Sequence, residues 1–540
     1  MAKKKLFLEL RLKDEIVEGH AESSFFSRKA KTSLHDVVEL LRRAANDRSI
    51  AALSLTLEPL ESGWARLSDI RRALLAFRQS GKPIYCFMQD GGNAEYYLAS
   101  ACNCIFMPPA ANLRLVGLSA EAFFLRDVLD RFGIKADLQA MGEYKSAAEM
   151  FTRTGMSEPA REQMEVLLDD SYENLCAALQ DRGFSREEIA GHMNRGPYTA
   201  REALQWKLLD GVCYRDEIAD KLTSELGKKL HAVSAEKYFR GDGFFKRLLT
   251  FRRARIAIIN VLGQIDTGES RRSQAGRNVA GAETLQSFLD HADRSRKVRA
   301  IILRIDSPGG SGIASDLIWR KVSLVGKHKP IVASFGNVAA SGGYYIATAA
   351  SQILAESTSI TGSIGVLAGK VVARELLNRL AIHRETVQRG VHAGYESLFS
   401  EFSKEESERL RQQISEFYRQ DFLKKVADGR KMSEDAVDQA GRGRIWSGRR
   451  AQEQKLVDEI GGICEAIQCA RKLAGIPASK RVRVVHYYRH RKLWERLMPD
   501  FRSPVMAKII SQPALETVDA LEQISRQGLL LLMPFRIRIR

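Results

Sequence analysis

The amino-acid sequence contains an internal repeat, and this repeat limits what the chain can fold into. Residues 82–101 (KPIYCFMQDGGNAEYYLASA) and 329–349 (KPIVASFGNVAASGGYYIATA) both read as a buried strand, a turn of small residues and the start of a helix. Identical residues then recur at a constant shift of 248 positions, as in Tyr96/Tyr344, Tyr97/Tyr345, Gly117/Gly365, Arg126/Arg374, Arg131/Arg379, Gly142/Gly390, Ala203/Ala451, Lys207/Lys455, Leu208/Leu456 and Asp210/Asp458. A period this long indicates two copies of one domain and not a solenoid of short repeats.

The repeat also sets the domain boundaries that we predict. A chain of 540 residues exceeds what one hydrophobic core usually organises, which agrees with two copies. We expect the first copy over residues 1–240, the second over 241–477, and a basic C-terminal extension without a counterpart over 478–540. The basic, glycine-containing stretch around 241–255 joins the two copies.

Within each copy, short apolar runs alternate with amphipathic segments. In the second copy, residues 254–265, 299–305 and 330–335 read as buried strands, and residues 313–326 have helical spacing. At the N-terminus, the alternation in LFLELRL also predicts a strand. The repeated strand–turn–helix order predicts an α/β fold with covered, largely parallel sheets.

Two turns of the second copy are rich in glycine and small residues. The first, Asp306-Ser307-Pro308-Gly309-Gly310, directly follows a hydrophobic strand, and its glycines can present free N–H groups to an oxyanion. The second, Ala339-Ala340-Ser341-Gly342-Gly343, places Ser341 at the start of a helix. Either turn alone is more often structural than catalytic, so neither identifies an active site by itself.

The two copies differ at these positions in a reciprocal way. The position of Ser341 corresponds to Asn93 in the first copy, and the segment matching DSPGG there reads Glu58-Pro59-Leu60-Glu61. Conversely, Lys145 of the first copy corresponds to Ala393 of the second. Because a serine nucleophile needs a base, this pattern indicates one composite site to which each copy contributes one half.

Four segments in this order resemble a known family: GEYKSAAEMFTR, RIDSPGGS, AASGGYYIATAA and TGSIGV. They look like the long, duplicated form of signal peptide peptidase A, also called protease IV, over roughly residues 50–475. The resemblance implies two tandem Clp/crotonase-like domains and a serine peptidase with a serine–lysine dyad. It implies Ser341 as the nucleophile, Lys145 as the general base and Ser363 as the residue that orients the lysine amine. By similarity to the related Clp protease, Gly310 and Gly342 would supply the oxyanion N–H groups.

The resemblance also carries expectations about substrates and assembly. The substrates would be cleaved signal peptides or other short hydrophobic peptides, and the peptidase would be a homotetramer enclosing a bowl-shaped cavity. Many members of the family carry an N-terminal transmembrane helix, whereas we find no signal peptide or transmembrane segment in this sequence. A cytoplasmic location is therefore expected, with seven scattered cysteines that fit a reducing compartment.

The net charge of +18 is concentrated near the C-terminus. Residues 480–502 hold eight Lys and Arg, and the chain ends in Arg536, Arg538 and Arg540. No zinc-finger spacing or RNP-type motif accompanies these charges, so nucleic acid is not an expected partner. We expect either a solvated basic surface or a peripheral contact with an anionic membrane, in which the tail Leu529–Arg540 could act as an edge strand or a shallow membrane contact.

Other functional classes stay open at this point. A crotonase-type acyl-CoA hydratase or hydrolase would use the same backbone oxyanion site without Ser341 or Lys145, and a noncatalytic scaffold would need neither residue. A serine–histidine peptidase could use His392, one residue before the lysine-equivalent position. No cofactor is expected, since H-E-x-x-H, G-x-x-x-x-G-K-[ST] and G-x-G-x-x-G are all absent from the sequence.

Overall fold

Each copy is built around a parallel sheet, as the alternating pattern predicts. The computed structural model describes residues 5–19, 32–227, 229–240, 254–273, 277–488 and 529–533. The sheet of the first copy has six strands, all paired in parallel, in the order Gly211–Val212, Cys104–Met107, Ile84–Met88, Ile50–Leu60, Leu6–Asp14 and His231–Ser234. The central strand Ile84–Met88 is buried along its whole length because helices cover the sheet, whereas the edge strand His231–Ser234 is partly exposed.

The second copy repeats this order strand for strand. Its parallel path runs Glu459–Ile460, Gln352–Ala355, Ile331–Ala340, Val298–Ser307, Arg255–Leu262 and Arg483–Tyr487. Two further strands, Ile360–Gly362 and Ile445–Ser447, continue from the end of Ile331–Ala340. The strand Arg483–Tyr487, which the sequence placed in an extension without a counterpart, therefore occupies the position of His231–Ser234 in the first copy.

Helices surround the sheets. Those of the first copy are Leu34–Asn46, Trp64–Gln79, Asn93–Ala99, Arg126–Arg131, Glu149–Thr152, Glu158–Gln180, Arg186–Arg195, Ala200–Gln205, Ile218–Leu226 and Ala235–Arg240, with 3₁₀ turns at Ser146–Ala148 and Arg215–Glu217. Those of the second are Ala282–Arg294, Gly312–Gly326, Gly342–Ala347, Arg374–Arg379, Lys404–Glu416, Lys424–Arg430, Glu434–Ala440, Gly448–Glu453 and Ile463–Leu473, with a π-helical turn at Phe417–Leu423. Among the described residues, no helix is long and apolar enough to cross a bilayer.

A third, mixed sheet joins the copies. Its seven strands run in the order Arg271–Arg272, Asn278–Gly281, Gln264–Asp266, Gly309–Ser311, Leu529–Leu532, Val366–Val372 and Lys135–Met141. The last strand belongs to the first copy and pairs antiparallel with Val366–Val372 of the second over its whole length. Smaller pairings connect Gly91–Gly92, Asn112–Arg114 and Tyr198–Thr199, and Ile16–Val17 with Thr32–Ser33.

The part of the C-terminal tail that the structure describes, Leu529–Leu532, is not at the edge of its sheet. Leu529–Leu532 lies inside the mixed sheet with a strand on each side, and the side chains of Leu530 and Leu531 are buried. A run of leucines has no polar face to turn towards water, so an interior position suits it better than an edge. The basic residues 489–502 and the last residues, 534–540, lie outside the described part of the chain.

A buried ionic cluster further fixes the two copies to each other. The guanidinium of Arg304, in the second copy, lies 2.7 Å from a carboxylate oxygen of Glu18 and 2.8 Å from one of Asp69, both in the first copy. One hydrophobic cluster likewise contains residues of both copies, for example Leu55 and Val332. The copies therefore share a continuous interior, which lets residues of both form one site.

Candidate active site

Ser341 lies at the turn between the strand Ile331–Ala340 and the helix Gly342–Ala347. Its φ of 54° and ψ of −113° are unusual for a residue other than glycine, and such a conformation costs about 1–3 kcal/mol. Two hydrogen bonds hold the turn, from Ser341 N to the Gly362 carbonyl (2.8 Å) and from Tyr345 N to the Ser341 carbonyl (2.8 Å). The strained turn thus presents a single serine hydroxyl, whose side chain is fully buried.

Lys145 is brought to this serine from the first copy. Its Nζ lies 2.8 Å from Ser341 Oγ, 3.0 Å from Ser363 Oγ and 3.1 Å from the Ser363 carbonyl oxygen. The side chain is 3% exposed, and burial holds the pKa of Lys145 well below its ordinary value. These hydrogen-bond partners are uncharged, so they orient the amine without a carboxylate that would counteract the effect of burial on its pKa.

The backbone around Lys145 is held by a loop of the second copy, Gly441–Arg444. Tyr144 N donates to the Arg442 carbonyl at 2.8 Å, and Lys145 N donates to the Gly142 carbonyl at 3.0 Å. Gly443 has a φ of +80°, and a Cβ there would overlap the backbone of Lys145. Only glycine allows this approach. The loop therefore holds the backbone of Lys145, while the side-chain amine lies 2.8 Å from Ser341 Oγ.

Ser363 belongs to the segment TGSIG, which follows the strand beside the nucleophile. That strand, Ile360–Gly362, pairs with Val338–Ala340, so Ser341 and Ser363 each lie directly after paired residues. Ser363 N donates to the Arg444 carbonyl at 2.7 Å, which links it to the loop that holds Lys145. The carbonyl of Ser363 also contacts the lysine amine, a contact that the sequence gave no reason to expect.

The two glycine turns lie side by side. Gly309 and Gly310 have φ values of +103° and +155°, and a Cβ on Gly342 would lie 3.3 Å from the nitrogen of Gly310. A Cβ on Gly309 would in turn lie 2.9 Å from the nitrogen of Gly342. A side chain at Gly309 or Gly342 would push the two turns apart, so glycine lets their backbones lie close together beside Ser341.

The corresponding region of the first copy has a different chemistry. Asn93, the counterpart of Ser341, uses its side chain to bond the backbone of Val116 and Gly117 at 3.3 Å and 2.7 Å. His392 of the second copy lies 3.3 Å from Glu406, and its side chain is 40% exposed, whereas Ser341 is buried. The hydroxyl of Ser341 therefore meets lysine and not histidine.

One buried residue of the site region was not anticipated from the sequence. Gln163, on the helix Glu158–Gln180, donates from Nε2 to Ser146 Oγ (2.8 Å) and to the Tyr144 carbonyl (3.3 Å), and accepts from Ile445 N at 3.2 Å. It therefore connects the YKS motif to the second copy. A glutamine on an amphipathic helix has no distinctive sequence signal, whereas the run Gly441-Arg442-Gly443-Arg444 could have pointed to a tight loop.

The described part of the chain contains neither a metal-binding cluster nor a disulfide. No group of three or more His, Cys, Asp or Glu side chains there could hold a metal ion. All seven cysteines are free thiols, including Cys102 and Cys104.

The chain is similar in sequence to known proteins. The family model of peptidase family S49 matches twice, at residues 76–229 and 323–477. The chloroplastic serine protease SPPA of Arabidopsis thaliana is 36% identical over 483 residues, which cover 88% of this chain and 70% of that protein. Protease 4 of Salmonella typhi is 30% identical over 458 residues, covering 82% and 72% of the two chains. A solved membrane-bound stomatin-specific protease, 13% identical, aligns with 44% of this chain and all of its own at a TM-score of 0.28.

Proposed function

Since the chain belongs to peptidase family S49, with two tandem Clp/crotonase-like domains, we propose that it cleaves peptides through an acyl-enzyme on Ser341 with Lys145 as the general base. The protein is a serine peptidase, as its relatives are. The observation that supports the residue assignment is the distance of 2.8 Å between Lys145 Nζ and Ser341 Oγ in a buried setting. An acyl-CoA hydratase of the related fold would have no use for this pair.

In the proposed reaction, neutral Lys145 takes the proton of Ser341 Oγ as the oxygen attacks the scissile carbonyl carbon. The N–H groups of Gly310 and Gly342 stabilise the oxyanion of the tetrahedral intermediate. When the C–N bond breaks, Lys145 returns its proton to the leaving amine, and Ser341 retains the acyl group. A water molecule, deprotonated by the same amine, then attacks the ester and restores the serine hydroxyl. Ser363 orients the amine throughout.

The proposed substrates are cleaved signal peptides or other short hydrophobic peptides. This proposal rests on the family, and the burial of the site supports it, because the side chain of Ser341 has no surface open to a folded protein. An extended peptide can enter such a site as a single strand.

The test is peptidase profiling on a peptide library. Ser341→Ala should abolish cleavage, because it removes one small hydroxyl and leaves the fold intact. The exposed Ser351 provides the control, since Ser351→Ala should retain full activity. Turnover by Ser341→Ala above a few per cent of the wild type, with contaminating proteases excluded, would refute the assignment of the nucleophile.

We also propose a closed homo-oligomer, a tetramer by family resemblance, and the duplication itself supports this proposal. Inside one chain, Lys135–Met141 of the first copy pairs with Val366–Val372 of the second. The shift of 248 relates these strands to residues 383–389 and 118–124, and neither of these segments forms a strand. Pairing of residues 383–389 with residues 118–124 of a second copy of the chain would repeat the internal contact and generate a ring.

For the location of the protein, we propose a cytoplasmic peptidase with peripheral attachment to anionic membranes through the basic residues 480–502 and the C-terminal arginines. Each Lys or Arg near an anionic bilayer contributes about 1 kcal/mol, and salt screens the attraction. We expect co-sedimentation with anionic but not neutral liposomes, reversed by high salt. Replacement of the five Lys and Arg of 489–502 by Gln should weaken binding, and undiminished binding would exclude this segment as the contact.

A further inference from the structure

The strand Leu529–Leu532 runs between two strands next to the catalytic serine. It pairs antiparallel with Gly309–Ser311 on one side, where Gly309 faces Leu532, Gly310 faces Leu531 and Ser311 faces Leu530. On the other side, Leu367 faces Leu530 and Ala368 faces Leu529. Met533 N extends the pairing by donating to the Pro308 carbonyl at 2.8 Å. The chain itself thus supplies an extended peptide in the slot between these strands.

The register of this strand puts one particular peptide group beside the active site. Leu531 is paired with Gly310, and a Cβ on Gly309 would overlap the Leu531 carbonyl oxygen while lying 2.9 Å from the nitrogen of Gly342. The Leu531 carbonyl therefore lies next to the residues that we expect to bind the oxyanion. This is where the scissile carbonyl of a substrate must lie.

The side chains of this strand occupy apolar surroundings on both sides. Leu531 is fully buried in the core of the second copy. Leu530 is also buried, in a small cluster that draws on both copies through Leu129, Phe151 and Leu367. A peptide bound in this slot would therefore need apolar residues of about leucine size at the two positions that precede its scissile bond.

Building on the proposed function, we propose that substrates bind as a β-strand between Gly309–Ser311 and Val366–Val372, and that Leu529–Met533 is an internal ligand of this same slot. The tail and a substrate exclude each other, because the outer edge of each flanking strand is already paired with another strand. Only the inner edges, which face the slot, can bind a peptide, and the slot holds one strand. The tail is covalently attached, so its effective concentration exceeds that of most free peptides. Basal activity is then set by how often the tail leaves the slot.

The experiment compares two truncated chains with the full-length protein. A chain ending at residue 528 lacks the strand, whereas a chain ending at Met533 keeps it and serves as the control. We expect the shorter chain to cleave a fluorogenic peptide with two leucines before the scissile bond at a kcat/KM about tenfold higher, through a lower KM. Labelling of Ser341 by a fluorophosphonate should accelerate in parallel. The chain ending at Met533 should behave as the full-length protein does.

Two further measurements keep the result interpretable if the shorter chain folds poorly, as circular dichroism would show. The full-length variant Leu531→Asp places a charge in an apolar site and should release the tail and raise activity as truncation does. A synthetic peptide of residues 529–540 should inhibit the shorter chain competitively. Unchanged activity and labelling in every variant would overturn the internal-ligand proposal, as would inactivity of both the shorter chain and Leu531→Asp. Failure of Ser341 to react in any chain would instead refute the proposed function.

Discussion

At the scale of single residues, the site depends on a lysine kept away from water. Lys145 is buried and its nearest polar partners are hydroxyl and carbonyl groups, so burial lowers its pKa without a compensating carboxylate. Between this lowered pKa and the ordinary one, the unfolded chain holds a proton that the folded chain lacks. Stability therefore rises with pH across that window and is lowest below it.

We accordingly predict opposite effects of Lys145→Met on activity and stability. Peptide cleavage should be lost, since the base is removed, while the melting temperature at neutral pH should rise because the cost of burying an amine disappears. The exposed Lys404→Met should change neither quantity. Melting curves between neutral pH and pH 10 measure the effect, and a melting temperature below that of the wild type would contradict it.

The pH dependence of the wild type provides an independent check on the same residue. Peptidase activity should rise with pH through the lowered pKa of Lys145, because only the neutral amine accepts the serine proton. Lys145→Arg should be inactive at every pH, since a guanidinium stays protonated. An active arginine variant would exclude lysine as the base.

At the scale of elements, the helix Glu158–Gln180 positions the lysine without touching the reacting atoms. Gln163 satisfies donors and acceptors from both copies, the Tyr144 carbonyl, Ser146 Oγ and Ile445 N. Leaving such buried groups unpaired costs about 1–3 kcal/mol. The helix therefore connects the segment around Lys145 in the first copy to the strand Ile445–Ser447 in the second, and stabilises the position of the lysine.

We predict that Gln163→Ala lowers kcat about tenfold with little change in KM, because a small displacement of a catalytic group is costly. Gln163→Glu keeps the acceptor and should recover part of the loss. On the same helix, the exposed Gln180→Ala should have no effect. A rise in KM at unchanged kcat would assign Gln163 to substrate binding instead.

At the scale of the whole molecule, Lys135–Met141 of the first copy pairs with Val366–Val372 of the second. The equivalent segments, 118–124 and 383–389, form no strands and are the two faces that we expect a second chain to cover. Exposed apolar side chains mark both open faces, with Phe123 59% exposed on the first copy and Val387 88% exposed on the second. Leu380, beside the latter face, is 61% exposed. Apolar surface of this kind is typical of a face that another chain covers.

Phe123→Asp and Val387→Asp should each therefore dissociate the oligomer, because either change places a charge in the proposed contact. Light scattering measures the mass. Leu473→Asp, at an exposed leucine outside both segments, should leave the mass unchanged. A wild-type protein that is active as a monomer would rule out the ring as a requirement for activity.

The duplication, the α/β class and the strands of the second copy were readable from the sequence, because apolar periodicity and repeat register are local properties. The predicted helix at 313–326 is the helix Gly312–Gly326, and the strand predicted from LFLELRL is Leu6–Asp14. Lys145, Ser341 and Ser363 were named from motifs, and the structure places Lys145 within hydrogen-bonding distance of both serines.

Other features were decided only by the tertiary structure, because they depend on which distant segments meet. The sequence of the leucines at 529–532 does not indicate which strands they pair with. The tertiary structure shows that they lie between Gly309–Ser311 and Val366–Val372. Likewise, Gln163 and Gly443 gain their roles from contacts with residues more than 280 positions away, as the Gln163–Ile445 pair shows. Sequence thus determined which chemical groups the chain carries, and packing of the two copies decided which of them share a site.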